Sequence, residues 1–109
     1  MTRPIAALRH RLTLQAPAET DDGAGGVSIT WRDVATLWAA ISPLRGGPEG
    51  LWAAQPATRL RSEITIRYRP GLWPQMRFVA GDRVWNIIAV FDPDGRRARL
   101  ICLCEELPL

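Results

Sequence analysis

The chain has 109 residues, of which 47% are hydrophobic and 23% are charged, and its formal net charge is +3. These values are typical of one globular domain and exclude a disordered or multidomain chain. No apolar run exceeds the five residues of 87–91, which is far shorter than the roughly 20 residues of a membrane-spanning helix, and no signal-peptide core follows Arg3.

All 14 basic residues are arginine, and lysine is absent. A GC-rich genome is the simpler explanation for this bias. The alternative is that arginine serves lasting contacts with phosphate groups or with other protein surfaces, for which its planar guanidinium is better suited than an ammonium group.

The first half of the chain alternates apolar and polar residues, which predicts half-buried strands. Residues 8–15 form the first strand, and two more strands follow at 27–31 and 36–41. The segment 17–26, rich in acidic residues and glycine, is predicted to be a flexible loop. A second long loop covers 43–57, with a short helix at 48–55 that begins at a proline and ends before Pro56.

A strand from Thr58 to Arg69 carries its polar and apolar residues on separate faces. The apolar face holds Ile64, Ile66 and Tyr68, and arginines dominate the other. Pro70 and Gly71 end the strand because proline donates no ladder hydrogen bond and glycine permits a tight reversal.

The last third of the chain predicts two successive hairpins and the residues that pair across their strands. A turn at Gly81-Asp82 pairs Phe78 with Trp85 and Met76 with Ile87. A four-residue loop at 92–95 then pairs Trp85 with Cys102, Ile87 with Leu100 and Ala89 with Ala98. We favour this loop because it keeps one apolar face across three strands, whereas a three-residue loop sets Arg99 on that face.

The sum is an all-β domain, a small antiparallel β-barrel of about seven strands with one short helix in a long loop. A single domain covers residues 1–109, with an N-terminal arm at 1–7 and long loops at 17–26 and 43–57. Nothing in the pattern requires a second domain.

Catalytic and metal-binding patterns are weak. The only histidine, His10, alternates with leucines and is predicted to be a structural core residue rather than a base. Cys102 and Cys104 lie two apart in a strand, at or beyond comfortable disulfide reach, which predicts two buried free thiols. Asp92–Gly95 lacks the later glycine and glutamate of a calcium loop, so a turn explains it. We therefore predict no enzyme activity, no metal and no cofactor.

The five tryptophans differ in their surroundings. Trp38 and Trp85 lie in strands and are predicted to be core residues, while Trp31 ends a strand and fits either core or surface. Trp52 and Trp73 lie among glycines and prolines, where an interface role and a structural one are equally consistent with the pattern, since tryptophan is a favoured interface anchor.

The arginine face of the 58–69 strand has three interpretations. It is a solvated face, it pairs with carboxylates of an identical copy, or it binds nucleic acid through phosphate contacts. Glu63 in its middle weakens the third interpretation. The carboxylates Glu19, Asp21 and Asp22 make pairing between copies a concrete alternative.

The whole pattern resembles a known family. The segments "LRHRLTLQAP", "DVATLWAAISPL", "ITIRYRPGLWPQMRF" and "GDRVWNIIAVFDPDGRRARLICLCEE" are similar, in order, to the phage head–tail joining proteins, also called head closure or stopper proteins. These occur in tailed phages and gene transfer agents. The arginine-rich composition looks like a gene transfer agent or a prophage of a GC-rich host.

The resemblance implies a structural protein of a virion or phage-like particle, made in the bacterial cytoplasm and located at the head–tail junction. It would form a homo-oligomeric ring of twelve copies between the portal and adaptor rings and the tail terminator or tail tube protein, with packaged DNA in the channel as a further contact and no membrane partner. The long loops would make the contacts. The expected partner-interface residues are Glu19, Asp21, Asp22, Arg45, Gly46, Gly47, Leu51, Trp52 and Gln55, and the expected inter-subunit or DNA-facing residues are Arg59, Arg61, Arg67 and Arg69.

The alternative function is a single-stranded nucleic-acid-binding OB-like barrel, in which tryptophans stack on bases and arginines contact phosphates. The mild net charge and the lack of clustered aromatic residues count against it. Deleting residues 46–55 is expected to leave a folded barrel that no longer supports head closure or tail attachment.

Overall fold

The computed structural model describes residues 8–44 and 60–106, which form one antiparallel sheet. No helix occurs in these two stretches, and six strands replace the seven expected. The helix predicted at 48–55 lies outside the described residues. The strands are β1 (His10–Asp21), β2 (Val27–Leu44), β3 (Leu60–Arg67), β4 (Arg77–Ala80), β5 (Arg83–Phe91) and β6 (Arg99–Glu106).

The sheet closes into a barrel in the order β1-β2-β3-β6-β5-β4. Closure follows from β1, which pairs with β2 on one side and, through residues 13–15, with β4 on the other. Because neighbouring strands are antiparallel, the β1–β2 turn, the segment after β3 and the β5–β6 loop share one end of the barrel. We call this the hairpin end.

The β1–β2 hairpin is much longer than the alternation predicts. Residues 17–21, expected in a loop, continue β1, and the two predicted strands at 27–31 and 36–41 are one 18-residue strand, β2. The register shifts beside Leu14 and Gln15, which face Ala35 and Asp33 and leave Val34 as the extra residue of a bulge. An extra residue swaps the faces on which the following side chains lie. The apolar–polar alternation is therefore interrupted at the bulge, and in the sequence one strand looks like two.

Strand β3 is confirmed as two-faced. Ile64 and Ile66 are fully buried and face Cys102 and Leu100 of β6. The opposite face is less open than a solvated arginine face, because Arg61 and Thr65 are buried as well. Arg61 lies opposite Glu105, and its Nη2 donates a hydrogen bond to Glu105 Oε2 at 3.0 Å.

The β4–β5 hairpin has the predicted register. Phe78 faces Trp85, and the Ile87 backbone N–H donates to the Met76 carbonyl at 3.0 Å. A two-residue turn leaves little choice of register, and Gly81 takes the positive φ of 61° that such a turn needs.

The β5–β6 register predicted from the sequence is wrong by four residues before a bulge near Ile88 and by five beyond it. Trp85 faces Glu106 rather than Cys102, and Ile87 faces Cys104 rather than Leu100, an even shift that keeps both on the predicted buried face. Beyond the bulge Ala89 faces Leu103 rather than Ala98, and Val90 packs against the core in its place. The cause is the connecting loop, which spans residues 92–98 instead of 92–95.

The Asp92 carboxylate organises this longer loop. Its Oδ1 accepts a hydrogen bond from the Gly95 N–H at 3.0 Å, and its Oδ2 accepts one from the Arg97 N–H at 2.8 Å. Arg97 has a positive φ of 57°, which the hydrogen bond to Asp92 helps to hold. Because the Asp92 side chain, rather than pairing between strands, holds this loop, the apolar alternation does not reveal how long the loop is.

These hydrogen bonds, that from the Arg97 N–H above all, lower the pKa of Asp92. A lowered folded-state pKa stabilises the fold above the unfolded value of about 3.9, and the contribution is lost as the pH falls through the folded-state value. We therefore expect the unfolding free energy to fall more steeply below about pH 4 in the wild type than in Asp92→Asn. Urea unfolding across a pH series measures both slopes, and parallel curves would contradict the assignment.

The barrel interior is a closely packed apolar core, and Trp85 is a member of it as predicted. Two other expectations are wrong: Trp38 is 55% exposed, and His10 is exposed. Both faces of residues 37–41 are apolar, so alternation could not orient Trp38. His10 lies on the same face of β1 as Leu12, but it is at the end of the strand, beyond the buried residues of the core. The fully buried large side chains are Trp85, Phe78, Leu12, Leu14, Ile64, Ile66, Met76, Cys102 and Cys104.

The two cysteines are buried free thiols, as predicted. Burial raises the pKa of Cys102 to about 12 and raises that of Cys104 as well. We expect neither thiol to react with an aromatic disulfide reagent at pH 8 in the native protein, and both to react in denaturant, because the thiolate is the nucleophile. Rapid labelling of the native protein would contradict this packing.

No helix among the described residues is long and apolar enough to cross a membrane.

Candidate assembly surfaces

The outer half of the β1–β2 hairpin extends beyond the rest of the barrel. β4 pairs with β1 only up to Gln15, and β3 pairs with β2 only from Ala39 onward. Residues 16–33 therefore pair only with each other within the sheet, and the described chain is elongated, with principal extents of 50 × 31 × 26 Å. Pro17 is tolerated in β1 because the strand is an edge strand at that point.

The turn at the tip is held by aspartate and glycine. Asp22 Oδ1 accepts hydrogen bonds from the N–H groups of Ala24, at 2.8 Å, and Gly26, at 3.0 Å. Gly23 and Gly25 have φ angles of 80° and 84°, which other residues rarely adopt. The turn is thus a defined structure of five residues, 22–26, and the flexible loop predicted at 17–26 is reduced to it.

One face of the hairpin combines exposed apolar residues with carboxylates. The register sets Glu19 opposite Ile29 and Asp21 opposite Val27, and Trp31 lies next in line opposite Pro17. Val27 is 65% exposed and Ile29 is 60% exposed, which is unusual for β-branched residues in a strand. We call Glu19, Asp21, Val27, Ile29 and Trp31 the hairpin surface.

A polar network fixes the base of the hairpin to the barrel. The Arg77 guanidinium lies 3.9 Å from the centre of the Trp31 ring, and its Nε donates to Gln15 Oε1 at 2.8 Å. Gln15 Nε2 in turn donates to Asp33 Oδ1 at 2.8 Å. Partial burial lowers the pKa of Arg77. The network joins β1, β2 and β4, so the hairpin leaves the barrel at a fixed angle.

A groove of about 500 Å³ lies along the base of the hairpin surface. Trp73, which follows the strand stop at Pro70, forms its other wall and is 42% exposed. The groove is open and mainly apolar, and it carries no cluster of titratable groups. The residues that line it are Pro17, Glu19, Ile29, Trp31, Trp73 and Gln75.

A second surface, at the same end of the barrel, is basic. Arg67 and Arg99 face each other across β3 and β6, and Arg96 and Arg97 follow in the β5–β6 loop. Beside them, Phe91 of β5 faces Ile101 and is 44% exposed. We call Arg67, Phe91, Arg96, Arg97 and Ile101 the basic surface.

The predicted site residues differ in their exposure. Glu19, Asp21 and Asp22 are exposed on the hairpin, as expected of interface residues, although Asp22 is engaged by the turn. Arg67 is exposed, whereas Arg61 is buried against Glu105 and is wrong as a DNA-facing residue. Arg69 is half-buried. The remaining predicted residues, Arg45, Gly46, Gly47, Leu51, Trp52, Gln55 and Arg59, lie outside the described residues.

Sequence reasoning missed the apolar half of both surfaces. The alternation does not single out Val27, Ile29 or Phe91, because it does not show where a strand leaves the barrel. The available signal is the glycine-rich turn itself, about which the polar residues Thr20 and Ser28 are symmetrically placed. No group of three or more metal-binding side chains occurs in residues 8–44 or 60–106.

Two comparisons with known proteins identify relatives. The family described as phage head completion protein matches residues 3–107. A chain in the virion of a native gene transfer agent particle superposes with a TM-score of 0.73 at 26% identity, over 96% of this chain and 98% of that one.

A protein of Shigella flexneri 2a, known from its solution structure, superposes with a TM-score of 0.69 at 34% identity, over 95% of this chain and 96% of that one. No curated protein matches the chain significantly. The match of nearly the whole chain to one family, with structural agreement over the same length, shows that this protein belongs to the phage head completion protein family.

Proposed function

We propose that this chain is the structural connector of a phage-like particle. It forms a ring of twelve copies between the portal–adaptor complex and the tail, closes the DNA-filled head and presents the surface on which the tail docks. The support is the family match across residues 3–107, together with the similarity to a chain of a gene transfer agent virion.

The shape of the described chain is consistent with this role. A closed barrel is stiff because no sheet edge is left unpaired within it, whereas the hairpin projects from it at an angle that the Arg77 network holds. A connector must present fixed contacts to its neighbours, and the exposed apolar residues of the hairpin surface are suited to burial in an assembly.

The second long segment, 43–57, is proposed to contact the adaptor or the tail through Arg45, Gly46, Gly47, Leu51, Trp52 and Gln55. Deleting residues 46–55 is expected to preserve the unfolding transition and to abolish head closure or tail attachment. Loss of the folded barrel on deletion would show instead that the segment belongs to the core.

Deleting the gene tests the proposal directly. Negative-stain images of the resulting particles should show heads without tails, partly emptied of DNA, and a plasmid copy of the wild-type gene should restore tailed particles. Normal tailed particles in the deletion strain would contradict the proposal. Tight and steeply salt-dependent binding of the purified chain to single-stranded DNA would favour the OB-like alternative.

A further inference from the structure

We infer that the ring interface joins the hairpin surface of one copy to the basic surface of the next copy. The inference rests on the proposed function for the existence of a ring, and it adds which two surfaces meet. It depends on their charge, their apolar content and their places around the barrel.

The two surfaces have opposite charge. Residues 17–31 contain Glu19, Asp21 and Asp22 and no basic residue, so they carry −3. The basic surface and its surroundings contain Arg67, Arg96, Arg97 and Arg99 together with Asp92 and Asp94 of the β5–β6 loop, so they carry +2. No ion pair among the described residues involves Glu19, Asp21, Arg67 or Arg97. Within those residues the charges of Glu19 and Arg67 are therefore not neutralised by an ion pair, while Asp21 Oδ1 accepts a hydrogen bond from the Gly23 N–H at 3.0 Å.

The acidic residues are placed where they can reach another molecule. Glu19 and Asp21 are on the β1–β2 hairpin, which projects beyond the rest of the barrel.

Each surface also has apolar residues at its centre. Val27 and Ile29 are exposed on the hairpin surface beside the half-buried Trp31, and Phe91 is exposed on the basic surface beside the half-buried Ile101. Exposed apolar residues bordered by charges are typical of protein interfaces. A nucleic-acid backbone would match the arginines but leave Phe91 and Ile101 without an apolar partner, so a second copy fits better.

The positions of the surfaces allow a ring. In the cyclic order β1-β2-β3-β6-β5-β4, the β1–β2 hairpin lies across the barrel from the β5–β6 loop, and both are at the hairpin end. A contact between different surfaces of identical copies is heterologous, and it produces a closed ring when the rotation between copies closes. Surfaces on opposite sides of a subunit suit a ring with many copies.

Disulfide trapping tests the contact. A chain carrying Glu19→Cys and a differently tagged chain carrying Arg67→Cys are mixed under mild oxidation, in solution and during particle assembly. The native thiols are buried and stay out of the reaction. We expect mixed dimers in several-fold excess over either like dimer. Mixed dimers at or below the statistical fraction in both settings would overturn the inference.

Charge reversal provides a second, independent readout. Glu19→Arg and Arg67→Glu, each alone, should weaken association of the chain by about tenfold or more, because like charges then meet. Combining Glu19→Arg chains with Arg67→Glu chains should restore it. Thr20→Arg, on the other face of the hairpin, and Arg9→Glu, at the other end of the barrel, are matched controls that should have little effect.

The outcomes separate this inference from the proposed function. If particles contain the chain at the head–tail junction but no mixed dimers form, the interface lies elsewhere and the inference fails while the connector function stands. If mixed dimers form but particles lack the chain, the function fails and the interface stands. If Arg67→Glu abolishes DNA binding and leaves self-association unchanged, the arginines bind DNA and the inference is overturned.

Discussion

Replacing Trp85 with alanine is expected to destabilise the barrel by about 3–5 kcal/mol. The indole is 1% exposed in the core, facing Phe78 of β4, and the Arg83 guanidinium covers it 4.5 Å from the ring centre. Truncation leaves a cavity that the closed sheet cannot collapse to fill. Because small domains have only about 5–15 kcal/mol of stability, the variant should be close to unfolding at 37 °C.

Trp85→Phe is the matched control. The indole Nε1 is buried without a hydrogen-bond partner in the structure. The unfolding free energy of the wild type is therefore already lowered by the desolvation of this unsatisfied donor. Phenylalanine keeps an aromatic ring and removes the donor, and its destabilisation should be well below that of alanine. Urea unfolding measures both, and equal losses for the two variants would mean that ring packing is not the main contribution.

Glu105→Gln is expected to cost about 3 kcal/mol, because it leaves the Arg61 charge buried with its carboxylate partner removed. The two side chains are only 6% and 18% exposed, and they join β3 to β6 at 3.0 Å. The effect should appear in urea unfolding as a lower midpoint with an unchanged slope, since the fold itself is kept.

The neighbouring carboxylate is a natural control for this prediction. Glu106 pairs with Arg83 at 2.7 Å, but the Arg83 side chain is 50% exposed. Glu106→Gln should therefore cost no more than about 1 kcal/mol. Replacing Arg61 and Glu105 together by leucine should recover much of the loss, because both buried charges are then removed together. If Glu105→Gln and Glu106→Gln had equal effects, burial would not be what gives the Arg61–Glu105 pair its importance.

The sequence predicts the fold well where the face or the register of a strand is set by residues within that strand or in the adjoining turn. The Ile64 and Ile66 face of β3 was correct because alternation assigns faces directly, and Phe78 faces Trp85 because the Gly81 turn leaves no other register. These signals are local, and no distant residue competes with them.

The failures came from features that interrupt alternation. Val34 shifts the phase within β2, so one strand was divided into two. Asp92 holds a seven-residue loop with its carboxylate, and the β5–β6 register differs from the predicted one by four residues before the bulge near Ile88 and by five beyond it. Trp38 was placed in the core because both faces of its segment are apolar, and only the closed sheet decides between them.

The residues of the candidate surfaces also divide into those that the sequence can identify and those that it cannot. Glu19 and Asp21 could be chosen from sequence because clustered carboxylates stand out in a basic chain. Ile29 and Phe91 could not, because an apolar residue in a strand is normally buried, and their exposure depends on where the hairpin leaves the barrel. Arg61 was misassigned because its partner, Glu105, is 44 residues away in sequence.

Cryo-electron microscopy of the intact particle tests the connector assignment most directly. The account predicts a ring at the head–tail junction into which twelve copies of this six-stranded barrel fit, with adjacent copies in contact through their projecting hairpins. Density at the junction that cannot accommodate the barrel, or particles assembled and tailed without this chain, would contradict it.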